Sequence, residues 1–122
     1  MPRSALAAGS RRISTRILLA DDHLLVQEGL KALLAAEGFD IVGQVSNGQE
    51  AVRLARERRP DVAVLEFAMP LLNGLDAGRE ILQTTRGTKV ILLTMYTEDQ
   101  YVLEAIRAGV KGYVVKTQAA AD

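Results

Sequence analysis

Cysteine and tryptophan are both absent from this chain. Without cysteine there can be no disulfide, no thiolate metal ligand and no thiol nucleophile, and such usage fits a reducing compartment, so the expected location is the cytoplasm. Three tyrosines and two phenylalanines are the only aromatics, so aliphatic side chains must build the core. No apolar run approaches the ~20 residues a membrane-spanning helix needs, and none near the start is long enough for a signal peptide. Acids are missing from the first sixteen residues, where Arg3, Arg11, Arg12 and Arg16 occur, while the remaining residues hold 11 bases against 15 acids. A net negative charge on that larger part argues against a nucleic-acid clamp. Residues 1–15 are expected to form a disordered basic leader. Their arginines and serines resemble a transit peptide only distantly.

What is present, over 122 residues, is one domain's worth of alternating pattern. Short runs rich in valine, isoleucine and leucine, at Ile17–Ala20, Ile41–Val45, Val62–Leu65, Val90–Leu93 and Gly112–Val115, alternate with segments of helical period. That alternation predicts βα units and a parallel sheet whose strands are buried on both faces. The first helix carries a stripe of Leu25, Leu30, Leu33 and Leu34 and stops at Gly38. Asn47 caps the second, with Glu50 three positions on, and Pro60 ends it; its Arg53, Arg56, Arg58 and Arg59 read as a solvated face. Asn73-Gly74 turns the chain into a third helix, which Gly78 weakens by about 1 kcal/mol relative to alanine. Thr97 with Gln100 suggests a capping box for the fourth, and Gly109 its stop. The six residues after Lys116 are too few for a fifth helix, which leaves the unit pattern incomplete and part of the sheet and first helix bare, a surface that favours self-association or points to a piece cut from a longer protein.

In an open parallel sheet, ligands bind beyond the carboxyl ends of the strands. Asp21 and Asp22 follow the first strand, Glu66 the third, Thr94 the fourth and Lys116 the fifth. Carboxylates, a hydroxyl and an ammonium meeting in one crevice suit phosphoryl chemistry on a hard cation such as Mg²⁺, which takes oxygen ligands and keeps several waters. Each residue alone has a plainer reading: Asp22 as a helix cap, Thr94 as a β-branched strand residue, Glu66 and Lys116 as solvated charges. Their joint placement after successive strands is what points to a site. His23, the only histidine, reads as a helix N-terminal residue and not as a ligand, Tyr113 alone reads as an edge-strand aromatic, and Tyr96, near the mouth of the crevice, either shapes access or packs.

These residues also carry a resemblance. Ile17-Leu18-Leu19-Ala20-Asp21-Asp22-His23, Pro60-Asp61-Val62-Ala63-Val64-Leu65 leading to Met69-Pro70, Leu93-Thr94-Met95-Tyr96 and Ala108 through Lys116 closely resemble response-regulator receiver domains of the NarL/FixJ-like branch, from about Arg16 to Thr117. The resemblance implies a flavodoxin-like, doubly wound α/β domain over residues 16–122, with a five-stranded parallel sheet in the order 2-1-3-4-5 and its last helix missing. It implies a Mg²⁺-dependent signalling module, not an enzyme, that takes a phosphoryl group from a sensor histidine kinase onto an aspartate. Asp21, Asp22 and the backbone carbonyl of Ala68 then match the metal ligands, Thr94 and Tyr113 the switch pair, and Lys116 the phosphate-pairing lysine. The acceptor position itself, also a metal ligand, falls on Glu66, one methylene longer than the family's aspartate. Such a displacement can cost on the order of a hundredfold in rate, so the implied domain signals with little or no dependence on phosphorylation. The alternative is a conventional relay receiver whose aspartate was replaced, or whose Glu66 is itself phosphorylated. A small magnesium-dependent phosphohydrolase has the same acids but would need a lid and a substrate pocket that are not evident. Family members commonly precede a LuxR-type helix-turn-helix domain. Residues 1–122 contain no recognition helix, so direct DNA binding by this chain is not expected.

Overall fold

The computed structural model describes residues 14–94 and 99–115. Residues 1–13 of the basic leader, the Thr97 cap, Tyr96 and Lys116 fall outside that range. Nine elements alternate: β1 (Arg16–Ala20), α1 (Leu24–Ala36), β2 (Asp40–Val45), α2 (Gly48–Arg58), β3 (Val62–Glu66), α3 (Gly74–Thr84), β4 (Lys89–Thr94), α4 (Asp99–Ala108) and β5 (Gly112–Val115). The strands form one parallel sheet in the order β2-β1-β3-β4-β5. This is the flavodoxin-like topology, with four helices among the described residues and no fifth.

The central strands behave as their composition requires. Leu18 and Ala20 of β1, Ala63 and Leu65 of β3, and Val90 and Leu92 of β4 are buried, with Ala51, Leu54 and Ala55 of α2 and Leu75, Ala77 and Ile81 of α3 packed over them. Two strands run one residue further than the apolar runs suggest. Glu66 and Thr94 are therefore the last residues of β3 and β4 rather than the first loop residues. A polar residue ends an apolar run in the sequence, but the hydrogen-bonded ladder continues through it, and both backbones are fixed by the sheet.

The cap of α2 is as expected, and the Asn73 turn also caps α3. Asn47 Oδ1 accepts from the Glu50 N–H at 2.8 Å, and Asn73 Oδ1 from the Asp76 N–H at 2.8 Å. Gly78 does not shorten α3, which runs eleven residues. A Cβ there would stand 3.1 Å from Val90 Cγ1, so the missing side chain lets the helix lie closer to β4, and packing offsets the propensity loss.

The leucine stripe of α1 divides. Leu30 and Leu34 are half-buried, whereas Leu25 is 86% and Leu33 68% exposed. The sheet-facing side of α1 runs through Gln27, Leu30 and Leu34, and Gln27 is its one buried residue. No described element covers the other side. None of the described helices is long and apolar enough to cross a membrane.

Candidate functional site

Register brings the acids together. Ala20 of β1 pairs with Leu65 of β3, so Asp21 and Glu66 each lie one step further along adjacent parallel strands and project to the same side. Asp21 N–H continues the β1–β2 ladder by donating to the Val45 carbonyl at 3.1 Å, and Phe67 N–H continues β3 by donating to the Leu93 carbonyl at 2.7 Å. Asp21 and Glu66 are each only 2% exposed, and Thr94, at the end of neighbouring β4, is fully buried. Glu66 Oε2 accepts from the Ala68 N–H at 3.0 Å, which curls the loop after β3 back over the carboxylate.

His23 joins this group. It occupies the N-cap position of α1 but makes no side-chain cap bond, so the cap reading offered for Asp22 does not hold. Its Nδ1 stands 3.1 Å from Asp21 Oδ1 and 3.3 Å from Asp22 Oδ1. One ligand atom from each of Asp21, His23 and Glu66 lies within 4.8 Å of the others. Its place at the helix N-terminus is as expected, but its proximity to both acids is not. Asp22 keeps about a third of its side chain exposed at the rim.

Two further residues build the pocket floor. Gln27 Nε2 donates to the Asp21 carbonyl at 3.1 Å and to the Val45 carbonyl at 2.7 Å, and Gln27 Oε1 accepts from Gln44 Nε2 at 3.2 Å. This amide ties α1 to the ends of β1 and β2 behind the first acid. A polar residue on the sheet-facing line of an otherwise leucine-rich helix was the signal for it. Gln27→Leu is expected to take the amide donor from the Asp21 carbonyl, leave the Val45 carbonyl only the Asp21 N–H, and cost about 2 kcal/mol in urea unfolding, while Glu28→Leu, exposed on the same helix, changes stability little. At the other wall, Gly74 N–H donates to the Phe67 carbonyl at 2.7 Å, and a Cβ on Gly74 would lie 2.1 Å from the Glu66 carbonyl oxygen.

A family model for the response regulator receiver domain matches residues 17–122. The chain belongs to that family. This receiver is 42% identical, over 83% of its length, to the transcriptional regulatory protein YdfI of Bacillus subtilis, covering 47% of that protein. It thus spans about half the length of that relative. Among solved structures it is similar to the receiver domain of the response regulator NarL from Mycobacterium tuberculosis, with a TM-score of 0.79, 30% identity and 84% of each chain covered. It is also similar to the receiver domain of the sensor histidine kinase PA1611 from Pseudomonas aeruginosa, which has a magnesium ion coordinated in its active-site cleft, with a TM-score of 0.74, 30% identity, and 84% of this chain and 85% of that one covered.

Within the receiver the other expected site residues take separate places. Tyr113 is half-buried on β5, packed against the core and paired in register with Leu92. Ala68 is exposed two residues past Glu66. Behind the acid, the Phe67 ring meets Tyr101 of α4 edge-on, with centroids 5.1 Å apart and planes at 65°. Two buried carboxylates, with a third at the rim, are hard oxygen donors, and they fit a divalent cation of the Mg²⁺ class.

Proposed function

We propose that this receiver works as a signalling module with little or no dependence on phosphorylation, because Glu66 occupies the acceptor position. The observation that carries the reading is a glutamate at the carboxyl end of β3, buried beside Asp21 and held by the Ala68 N–H. Asp21, Asp22, Glu66 and the Ala68 carbonyl are the groups that would hold Mg²⁺, which when bound offsets phosphoryl charge. Thr94 and Tyr113 form the switch pair, and Lys116 pairs with negative charge at the acceptor position. The Glu66 carboxylate stands where an acyl phosphate would form in an aspartate-bearing site and supplies a fixed charge there. It only partly imitates a phosphoryl group, which brings about −1.5 to −2 charges and three acceptor oxygens.

The signal leaves through surfaces that the site can bias. The Phe67–Tyr101 contact links the residue after Glu66 to α4. The partners of this reading are a sensor histidine kinase upstream, a second receiver, and a LuxR-type helix-turn-helix output domain. It signals and does not turn over a substrate. Incubation with magnesium and a small-molecule phosphodonor is expected to leave the intact mass of the wild-type chain unchanged. Stoichiometric phosphorylation mapped to Glu66 would replace this reading with the conventional relay.

A further inference from the structure

The opposite end of the sheet has the opposite charge. Arg16 opens β1, Arg58 and Arg59 close α2, and Arg86 lies in the connection from α3 to β4; all four line one cavity of about 470 Å³, together with Glu57, Pro60, Asp61 and Gly87. They come from three separate parts of the chain and converge beneath the amino ends of the strands, in a domain whose charge beyond the basic leader is net negative. The four arginines expected on the solvated face of α2 are all exposed. Arg53 is held on the helix surface between Glu50 and Glu57, at 2.6 Å from each, whereas Arg58 and Arg59 also border the cavity.

Arginines outnumber acids around this cavity, four to two. Among the described residues none of the four guanidinium groups has an acid within ion-pair distance. Arg16 donates to the Arg59 carbonyl at 2.9 Å and Arg58 to the Val42 carbonyl, which orients two of the forks without cancelling their charge. Of the two acids lining the cavity, Glu57 is bound to Arg53, and Asp61 Oδ2 accepts from the Arg16 backbone N–H at 2.8 Å. Arg59 adds a second kind of observation. It holds φ at 47°, the left-handed C-cap conformation that glycine adopts without strain, yet this position on the cavity's lining carries a long cation. A helix end needing only termination would be served better by glycine. The C-terminal dipole of α2 accounts for one cation there, but not for Arg16 and Arg86, which belong to other elements.

We propose that this cavity is a binding site for a small anion bearing two adjacent phosphoryl groups, either free pyrophosphate or the diphosphate of a nucleotide. Guanidinium forks match phosphoryl oxygens bidentately, and several of them around one space suit a ligand with more oxygens than orthophosphate offers. The site stands apart from the acidic pocket and does not depend on the reading of Glu66.

Calorimetric titration of the full chain with pyrophosphate, at low ionic strength and with a chelator present to remove magnesium, tests it. One saturable site is expected, weakened by added salt and at least about tenfold weaker for orthophosphate. Arg59→Gly and Arg86→Gln should each lower the affinity at least about tenfold, and Arg59→Gly should do so without lowering the melting temperature, because glycine suits that backbone. Arg56→Gln, outside the cavity, should leave binding unchanged. ADP binding tighter than pyrophosphate assigns the ligand to nucleotides, and the reverse order assigns it to the inorganic ion. No saturable binding, equal loss in Arg56→Gln, or retention of affinity in both Arg59→Gly and Arg86→Gln would overturn the proposal. So would preferential binding of duplex DNA, which would make the surface a polyanion contact.

Discussion

Glu66→Asp is expected to become phosphorylated by a small-molecule phosphodonor in the presence of magnesium, at least about a hundredfold faster than the wild-type chain. Glu66 is the last residue of β3, its backbone fixed by pairing with Leu93, and the loop behind it is closed by the Gly74 to Phe67 hydrogen bond. The backbone therefore cannot retreat to absorb an extra methylene. The longer side chain must place its oxygens further out or fold them back, and Ala68 N–H already holds Oε2. Shortening the arm withdraws the carboxylate toward the end of β3 while leaving the charge unchanged. Intact mass and phosphopeptide mapping read the outcome. A Glu66→Asp chain that takes up no phosphoryl group, and whose oligomeric state is unaltered by magnesium and phosphodonor, would remove the acceptor role from this position. Glu66→Gln serves as the control for charge, since it keeps the length but cannot form an acyl phosphate.

Gly74→Ala should lower stability by about 3 kcal/mol. The added methyl would start 2.1 Å from the Glu66 carbonyl oxygen and 2.8 Å from its carbon, and both belong to backbone that the sheet holds in place. Side chains can rotate out of a clash, but two stretches of main chain must separate. Moving α3 away would loosen Leu75, Ala77 and Ile81 from the core; moving β3 would break the ladder with β4. For a domain of this size the expected fall in melting temperature is roughly 10–15 °C. Gly29→Ala is the matched control, since a Cβ at Gly29 on α1 meets nothing within 4 Å and should stabilise the helix slightly. If Gly74→Ala melts within a few degrees of wild type, the close approach of α3 to β3 is not the constraint described here.

Much of the architecture was legible before any coordinates. Five apolar runs separated by helical periods determine a parallel sheet, and Asn47, Asn73 and Gly109 mark helix ends by local chemistry that tertiary context does not override. The convergence of Asp21 and Glu66 followed from the rule that parallel strands end together. Other features depend on partners distant in the sequence. Gln27 looks like an ordinary polar helix residue until β1 and β2 present their carbonyls to it. The exposure of Leu25 and Leu33 could not be read from the α1 stripe, because periodicity gives the apolar positions and not which of them meets the sheet. His23 reached the acids because the turn from β1 into α1 is only three residues long, a distance that composition does not express. Arg86 joins the arginines of α2 only once α3 has carried the chain back across the sheet.

Parallel pairing also limits how this pocket can be altered. A strand that slipped by one position would turn its carboxylate to the opposite face and expose the apolar residue beside it, so the lateral spacing of the two acids is set by the same contacts that hold the interior together. Sideways adjustment is unavailable without unfolding. Reach is the variable that a single codon can change, which makes the choice between aspartate and glutamate at the tip of β3 a length setting on an otherwise fixed frame.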